Sequence, residues 1–163
     1  MFKVGDEMQY IPLCRLQPSQ FYISEEKLNR IDAWFHDKDL SNFEPVPVKL
    51  VDGKLMLTDG HTRCVAALQH GLTSVPFVWE TDDLDWEMYD ACVRACKARG
   101  VYSIRDLARR IISAEAYDAQ WNAWCDELHE DIMKNRTAVN PPEGSKQIDE
   151  SNGGEIAFSK QTL

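Results

Sequence analysis

No stretch of this chain approaches the ~20 consecutive apolar residues that a bilayer-crossing helix needs. No apolar segment near residue 1 resembles a secretory leader. Both absences lead to the expectation of a cytoplasmic protein without a membrane partner. Positive charge is also scarce: 18 Lys and Arg stand against 27 Asp and Glu, a net charge of -9. That imbalance argues against a broad electrostatic grip on nucleic acid or anionic lipid, while leaving room for a local basic pocket. The 4 histidines, His36, His61, His70 and His129, lack HExxH or zinc-finger spacing. The 5 cysteines, an odd number scattered along the chain, offer no disulfide framework and read as reduced thiols. Cys92 and Cys96 lie one helical turn apart but have no matching His or Cys pair, so packing explains them better than zinc.

What is present suits one domain with a full-sized core in 163 residues. Met8 to Leu16 reads as a first strand, broken by Pro18-Ser19-Gln20. Ser24 is placed to cap a helix that carries Glu25 and Glu26 at its start and ends near His36 or Asp37. Residues 43–51 lead through the Asp52-Gly53 turn into a strand from Lys54 to Thr58, a β-hairpin. A helix opens at His61 and stops at His70-Gly71, and Ser74 to Glu80 returns as a strand in which Pro76 marks an edge or a strand end. Helical spacing then predicts Leu84 to Arg99, a second helix from Ser103 to about Ile112, and a third from Ala114 to Asp131 capped by Ser113. Tyr117, Trp121, Trp124 and Leu128 form a packing stripe on that last helix. A helix-turn-helix over 103–131 is disfavoured, because the turn glycine is missing and the second helix is acidic. From Lys134 onward the composition turns to Asn, Pro, Gly and Ser, which predicts a flexible tail with one short apolar patch, Ile156-Ala157-Phe158. The division expected is 1–82, 83–133 and 134–163.

The densest polar cluster is Thr58-Asp59-Gly60-His61-Thr62-Arg63, where an apolar strand runs through a turn into a helix. Asp-Gly after a strand is ordinary turn chemistry. The same layout also makes an anion site, because a helix opening after Gly60 presents unpaired N–H groups and the positive end of its dipole. Arg63 adds a planar, two-pronged donor for phosphate or carboxylate.

Asp59-Gly60-His61-Thr62-Arg63, followed by Ala66-Ala67, Gly71 and Val75-Pro76, resembles the ParB/sulfiredoxin superfamily over about Leu13 to Trp79. It is most similar to the branch that contains free-serine kinases. The resemblance implies an α+β fold, a small mixed sheet with helices, here followed by a C-terminal helical extension. It also implies that the motif binds nucleotide phosphates, with ADP or ATP ahead of CTP. Sulfiredoxins carry their reactive Cys where this chain has His61, which disfavours sulfinic-acid reduction. Partition-type ParB proteins use a Gly-Glu-Arg-Arg box for CTP; Gly60 and Arg63 match it, whereas His61 and Thr62 replace its Glu and first Arg. The serine-kinase branch has a catalytic Glu shortly after a Pro, and Gln20 stands at that position here. An amide cannot take a proton from a hydroxyl, so a base must come from Glu25, Glu26 or Asp59, or be absent.

Together these readings lead to the expectation of a nucleotide-phosphate-binding domain that acts as an ATP- or ADP-dependent kinase on a small hydroxyl compound such as free serine. Gly60, His61, Thr62 and Arg63 would hold the phosphates, with His61 donating to a phosphoryl oxygen. Asp59 would orient Mg²⁺ or the acceptor hydroxyl. The alternative from another class is a noncatalytic, nucleotide-responsive module acting on a protein or DNA partner.

Overall fold

The computed structural model describes residues 7–139. Residues 140–163 of the tail expected from 134 onward, with the Ile156-Ala157-Phe158 patch, lie outside the described residues. Seven strands and six α-helices follow one another along the described residues. The strands are β1 (Gln9–Pro12), β2 (Leu16–Gln17), β3 (Ile23–Ser24), β4 (Val46–Val51), β5 (Lys54–Leu57), β6 (Ser74–Trp79) and β7 (Ile111–Ile112). The helices are α1 (Glu25–Asp32), α2 (His61–Gln69), α3 (Trp86–Ala98), α4 (Ile104–Leu107), α5 (Ala114–Tyr117) and α6 (Ala123–Val139). The architecture is α+β, and none of the described helices is long and apolar enough to cross a membrane.

Five strands form a mixed sheet in the order β1-β6-β4-β5-β2, and β3 pairs with β7 in a separate parallel ribbon. The hairpin at Asp52-Gly53 sets the antiparallel β4–β5 register, Val48 opposite Leu57 and Val51 opposite Lys54. Along β4 the period of two buries Val46 and Val48 on one face, with Pro47 and Lys49 half-buried on the other, and the pattern lapses at Leu50, which is exposed. The buried strand side chains meet α2, whose Cys64, Val65, Ala66 and Ala67 are all buried. Four consecutive buried positions mean that α2 is covered on several sides; α1 and α4 lie against it as well as the sheet.

Local capping chemistry fixes the helix starts. Ser24 accepts from the Lys27 N–H, Ser103 from Asp106 and Ser113 from Ala116. Several expected boundaries shift. The Met8–Leu16 strand divides at Pro12 into β1, a 3₁₀ turn over Leu13–Arg15, and β2. The first helix stops at Asp32, because the chain tightens at Trp34 and Phe35, both bonded to the Ile31 carbonyl, and turns the fully buried Phe35 inward. Pro76 lies in an interior strand between β1 and β4, yet one residue before the first β4 partner, Phe77, so it ends that ladder.

The Ser103 helix ends at Leu107 and not near Ile112. Ile111 and Ile112 form β7 instead, opposite Ile23 and Ser24, where two β-branched side chains fit a pleated backbone better than a helix. The last helix runs to Val139, past Lys134, and is preceded by a wide π turn over Asp118–Asn122 that swings Trp121 into the core.

Candidate functional site

The site forms where β5 ends and α2 begins. Gly60 has φ +81°, in the left-handed region that glycine enters without strain. A Cβ there would meet Val46 Cγ1 at 2.8 Å and Arg63 Nη2 at 2.9 Å, so both the backbone turn and the close approach require glycine. Asp59 Oδ1 accepts the Gly60 N–H at 2.7 Å and fixes the turn. The first helical bond runs from Cys64 N–H to the Gly60 carbonyl, 3.0 Å. The N–H groups of His61, Thr62 and Arg63 therefore have no acceptor within the helix and sit at its positive end.

These groups border a cavity of about 410 Å³ whose charged lining is Lys27, Arg30, Glu44, Asp59 and Arg63. Arg63 is folded back over Gly60, its Nη1 donating to the Glu44 carbonyl at 2.6 Å, with the Glu44 carboxylate at 3.9 Å. That backbone bond holds the guanidinium at the cavity and leaves its other N–H groups for a ligand. Lys27 reaches the same cavity from α1 and places its ammonium 4.8 Å from the centre of the Tyr117 ring. Arg30, one helical turn on, pairs with Glu26.

His61 is buried, and its Nε2 accepts the Ser19 backbone N–H at 3.0 Å. Ser19 Oγ lies 3.4 Å from the same nitrogen but points its proton to the Leu57 carbonyl at 2.7 Å. The ring proton is consequently on Nδ1, which has no partner among the described residues. Burial pushes the His61 pKa down to about 3, so the imidazole is neutral near pH 7 and offers a neutral N–H. Burial likewise raises the Cys64 thiol to about 12, which keeps it protonated beside the motif.

Gln20 is buried, and its amide Nε2 donates to the Tyr22 carbonyl at 2.8 Å and to the Tyr117 hydroxyl at 3.0 Å. Glu25 and Glu26 line neither of the two cavities that border the motif. Asp59 lines both. The second cavity, about 420 Å³, extends from Asp59 along Thr58, Glu80, Asp82 and Tyr89. Its wall is tied by Thr58 Oγ1 donating to Glu80 at 2.8 Å and by the Tyr89 hydroxyl donating to the Thr58 carbonyl at 3.3 Å. No group of three or more His, Cys, Asp or Glu side chains among the described residues could hold a metal ion. A single carboxylate, Asp59, suits Mg²⁺ only in the manner in which that ion is commonly held, with substrate phosphates and water completing its shell.

The turn thus brings Gly60, His61, Thr62, Arg63 and Asp59 together at one cavity. Motif reasoning did not single out Lys27, Arg30 or Tyr117, which complete its lining. Lys27 and Arg30 are spaced i, i+3 on α1, a pattern that signals a shared face but not what the face looks toward. All 5 cysteines are free thiols, and Cys92 and Cys96 are buried in the core.

No known protein-family model matches the chain, and no curated protein matches it. Two solved structures are similar in part. The protein Atu1540 from Agrobacterium tumefaciens is 18% identical with a TM-score of 0.41, the match covering 62% of this chain and 61% of that one. The C-terminally truncated chromosome-partitioning protein ParB from Caulobacter crescentus, in complex with the centromeric parS site, is 19% identical with a TM-score of 0.35, covering 68% of each chain.

Proposed function

We propose that this chain binds the phosphate groups of a nucleotide, ADP or ATP with Mg²⁺, at the start of α2. One observation carries the reading: the first turn of α2, whose three leading N–H groups have no acceptor within the helix, and the cations of Lys27, Arg30 and Arg63 line a single cavity. N–H groups left without an acceptor at a helix start, beside cations, are satisfied by a phosphate oxygen. The similarity of Asp59-Gly60-His61-Thr62-Arg63 to the ParB/sulfiredoxin motif supports the nucleotide as the source of that phosphate. CTP ranks below the adenine nucleotides on the same grounds.

Transfer of the phosphoryl group to a small hydroxyl compound, free serine among them, is the second reading. It is favoured by Asp59, whose carboxylate borders both cavities and so stands between a phosphate in one and an acceptor in the other. Balanced transfer forms a bond from the acceptor oxygen to the terminal phosphorus, breaks the bond to the leaving phosphate oxygen, and moves the hydroxyl proton to a base. Gln20 cannot be that base, and a histidine whose pKa lies near 3 is a poor one, which leaves Asp59. Without transfer, the same site serves a nucleotide-responsive module whose partner affinity changes on binding.

Calorimetric titration of ADP, ATP and CTP with Mg²⁺ into the wild type and Arg63→Ala tests the first reading. Loss of a charge-assisted pair weakens binding about 10- to 100-fold while circular dichroism stays unchanged. Equal affinities would sink it. A phosphotransfer assay with free serine then separates the two uses: turnover that requires the acceptor marks a kinase, and tight binding without turnover marks a switch.

A further inference from the structure

We propose that Tyr117, contributed by α5 from the C-terminal part of the chain, is a ligand-binding residue of the α2 cavity and donates its hydroxyl proton to a phosphoryl oxygen there. The inference deepens the phosphate-binding reading above and rests on it. Its starting point is the orientation of Gln20. The Gln20 amide faces the Tyr22 carbonyl at 2.8 Å, and two oxygens would repel at that distance, so the group there is the NH₂ and not the amide oxygen. The second N–H of the same NH₂ points to the Tyr117 oxygen at 3.0 Å. Tyr117 is therefore the acceptor of that bond, and its own O–H must turn elsewhere.

No acceptor for that O–H lies among the described residues, and Tyr117 lines the cavity. Its ring is buried, and burial raises the phenol above its usual range, so it remains a protonated donor throughout the neutral range. The Lys27 ammonium lies over the face of the same ring and adds positive charge there. His61, which lines the same cavity, also has its acceptor nitrogen occupied, by the Ser19 backbone N–H, while its donor nitrogen is buried. The Tyr117 hydroxyl, its acceptor side occupied by Gln20, thus belongs to a residue that lines one cavity with three cations. An oxygen-rich anion in that cavity supplies the acceptor it lacks. Gln20, at the position where the resembling kinases have a carboxylate, acts here as a positioning residue that aims the Tyr117 hydroxyl.

The test uses the full chain, with ATP–Mg²⁺ and inorganic pyrophosphate as calorimetric probes, and Tyr117→Phe as the variant. Phe keeps the ring under Lys27 and removes only the hydroxyl. Losing a hydrogen bond to a charged oxygen weakens binding about 10- to 100-fold, while loss of the buried Gln20 bond lowers the unliganded melting temperature and leaves the protein folded at the titration temperature. Wild-type binding with equal affinity in Tyr117→Phe overturns the Tyr117 assignment and leaves the phosphate reading intact. Failure of the wild type to bind either probe overturns both. If the variant is unfolded at the titration temperature, wild-type protein labelled with 3-fluorotyrosine decides. Its more acidic hydroxyl donates more strongly at nearly the same size, so tighter binding supports the assignment and unchanged binding overturns it.

Discussion

His61 sets the chemistry of the site through which of its nitrogens is occupied. The Ser19 N–H takes Nε2, so the proton resides on Nδ1, and burial keeps the ring neutral down to about 3. In the unfolded chain the same imidazole has its ordinary value of 6.5. Between these values the unfolded chain binds a proton that the folded chain refuses, so acidification below 6.5 favours unfolding. The loss continues toward pH 3 at up to about 1.4 kcal/mol per pH unit, and above 6.5 this group contributes no slope. His61→Asn, whose carbonyl oxygen can accept the Ser19 N–H, should flatten the pH dependence of urea-unfolding stability between pH 6.5 and 4. Matching slopes in the two proteins would assign the effect to another group. Ser24, Ser103 and Ser113 as helix caps and Gly60 as the turn before α2 were readable in the sequence, because each depends on neighbours within a few residues. The burial of His61 was not, since its partner Ser19 lies 42 residues away.

At the scale of elements, the π turn before α6 and the β3–β7 ribbon clamp the short segment that carries Gln20. Phe21 packs edge-on against Trp121 at 4.8 Å and Trp124 at 4.9 Å, with the Arg99 guanidinium 4.0 Å from its ring centre. Arg110 donates from Nε to the Phe21 carbonyl at 2.6 Å and lies over the Tyr22 ring. Trp121→Ala removes one wall of this arrangement and should destabilise the protein by about 3–5 kcal/mol, the usual range for emptying a buried tryptophan site. Urea denaturation measures it; a change below about 1 kcal/mol would show that the pocket collapses around Phe21 without penalty. The stripe of Tyr117, Trp121 and Trp124 was legible as packing from its spacing, but spacing could not say that its first member borders the cavity. Nor could it end α4 at Leu107. The helical pattern through Ile112 is locally sound, and only the distant Ile23-Ser24 segment makes a strand the better partner.

Across the molecule, residues 83–139 are tied into the sheet region. Gln17 Nε2 donates to the Val101 carbonyl at 3.0 Å, Tyr89 to Thr58, and Gln20 to Tyr117, while β7 pairs with β3. An extension merely resting on a finished domain would lack such cross-bracing. Far-ultraviolet circular dichroism and tryptophan fluorescence should accordingly report one coincident urea transition, with separate midpoints as the result that contradicts it. The charge pattern also belongs to this scale: a molecule of net charge -9 gathers Lys27, Arg30 and Arg63 at one cavity. The acidic remainder was evident from composition, but the gathering of those three cations needed α1 to lie alongside α2.

The contact between Gln20 and Tyr117 also sets a clock. On a ribosome working at about 5–20 residues per second, the stretch from His61 to Tyr117 takes about 3–11 s to make. During that interval the glycine turn can exist while the tyrosine hydroxyl and the tryptophan wall over Phe21 do not. A growing chain at this stage has an incomplete floor beneath its glycine turn and an aromatic side chain still uncovered, the kind of surface that chaperones engage. The binding proposed for this turn should therefore arrive late in synthesis, in one step, when the last helices close over the first strands.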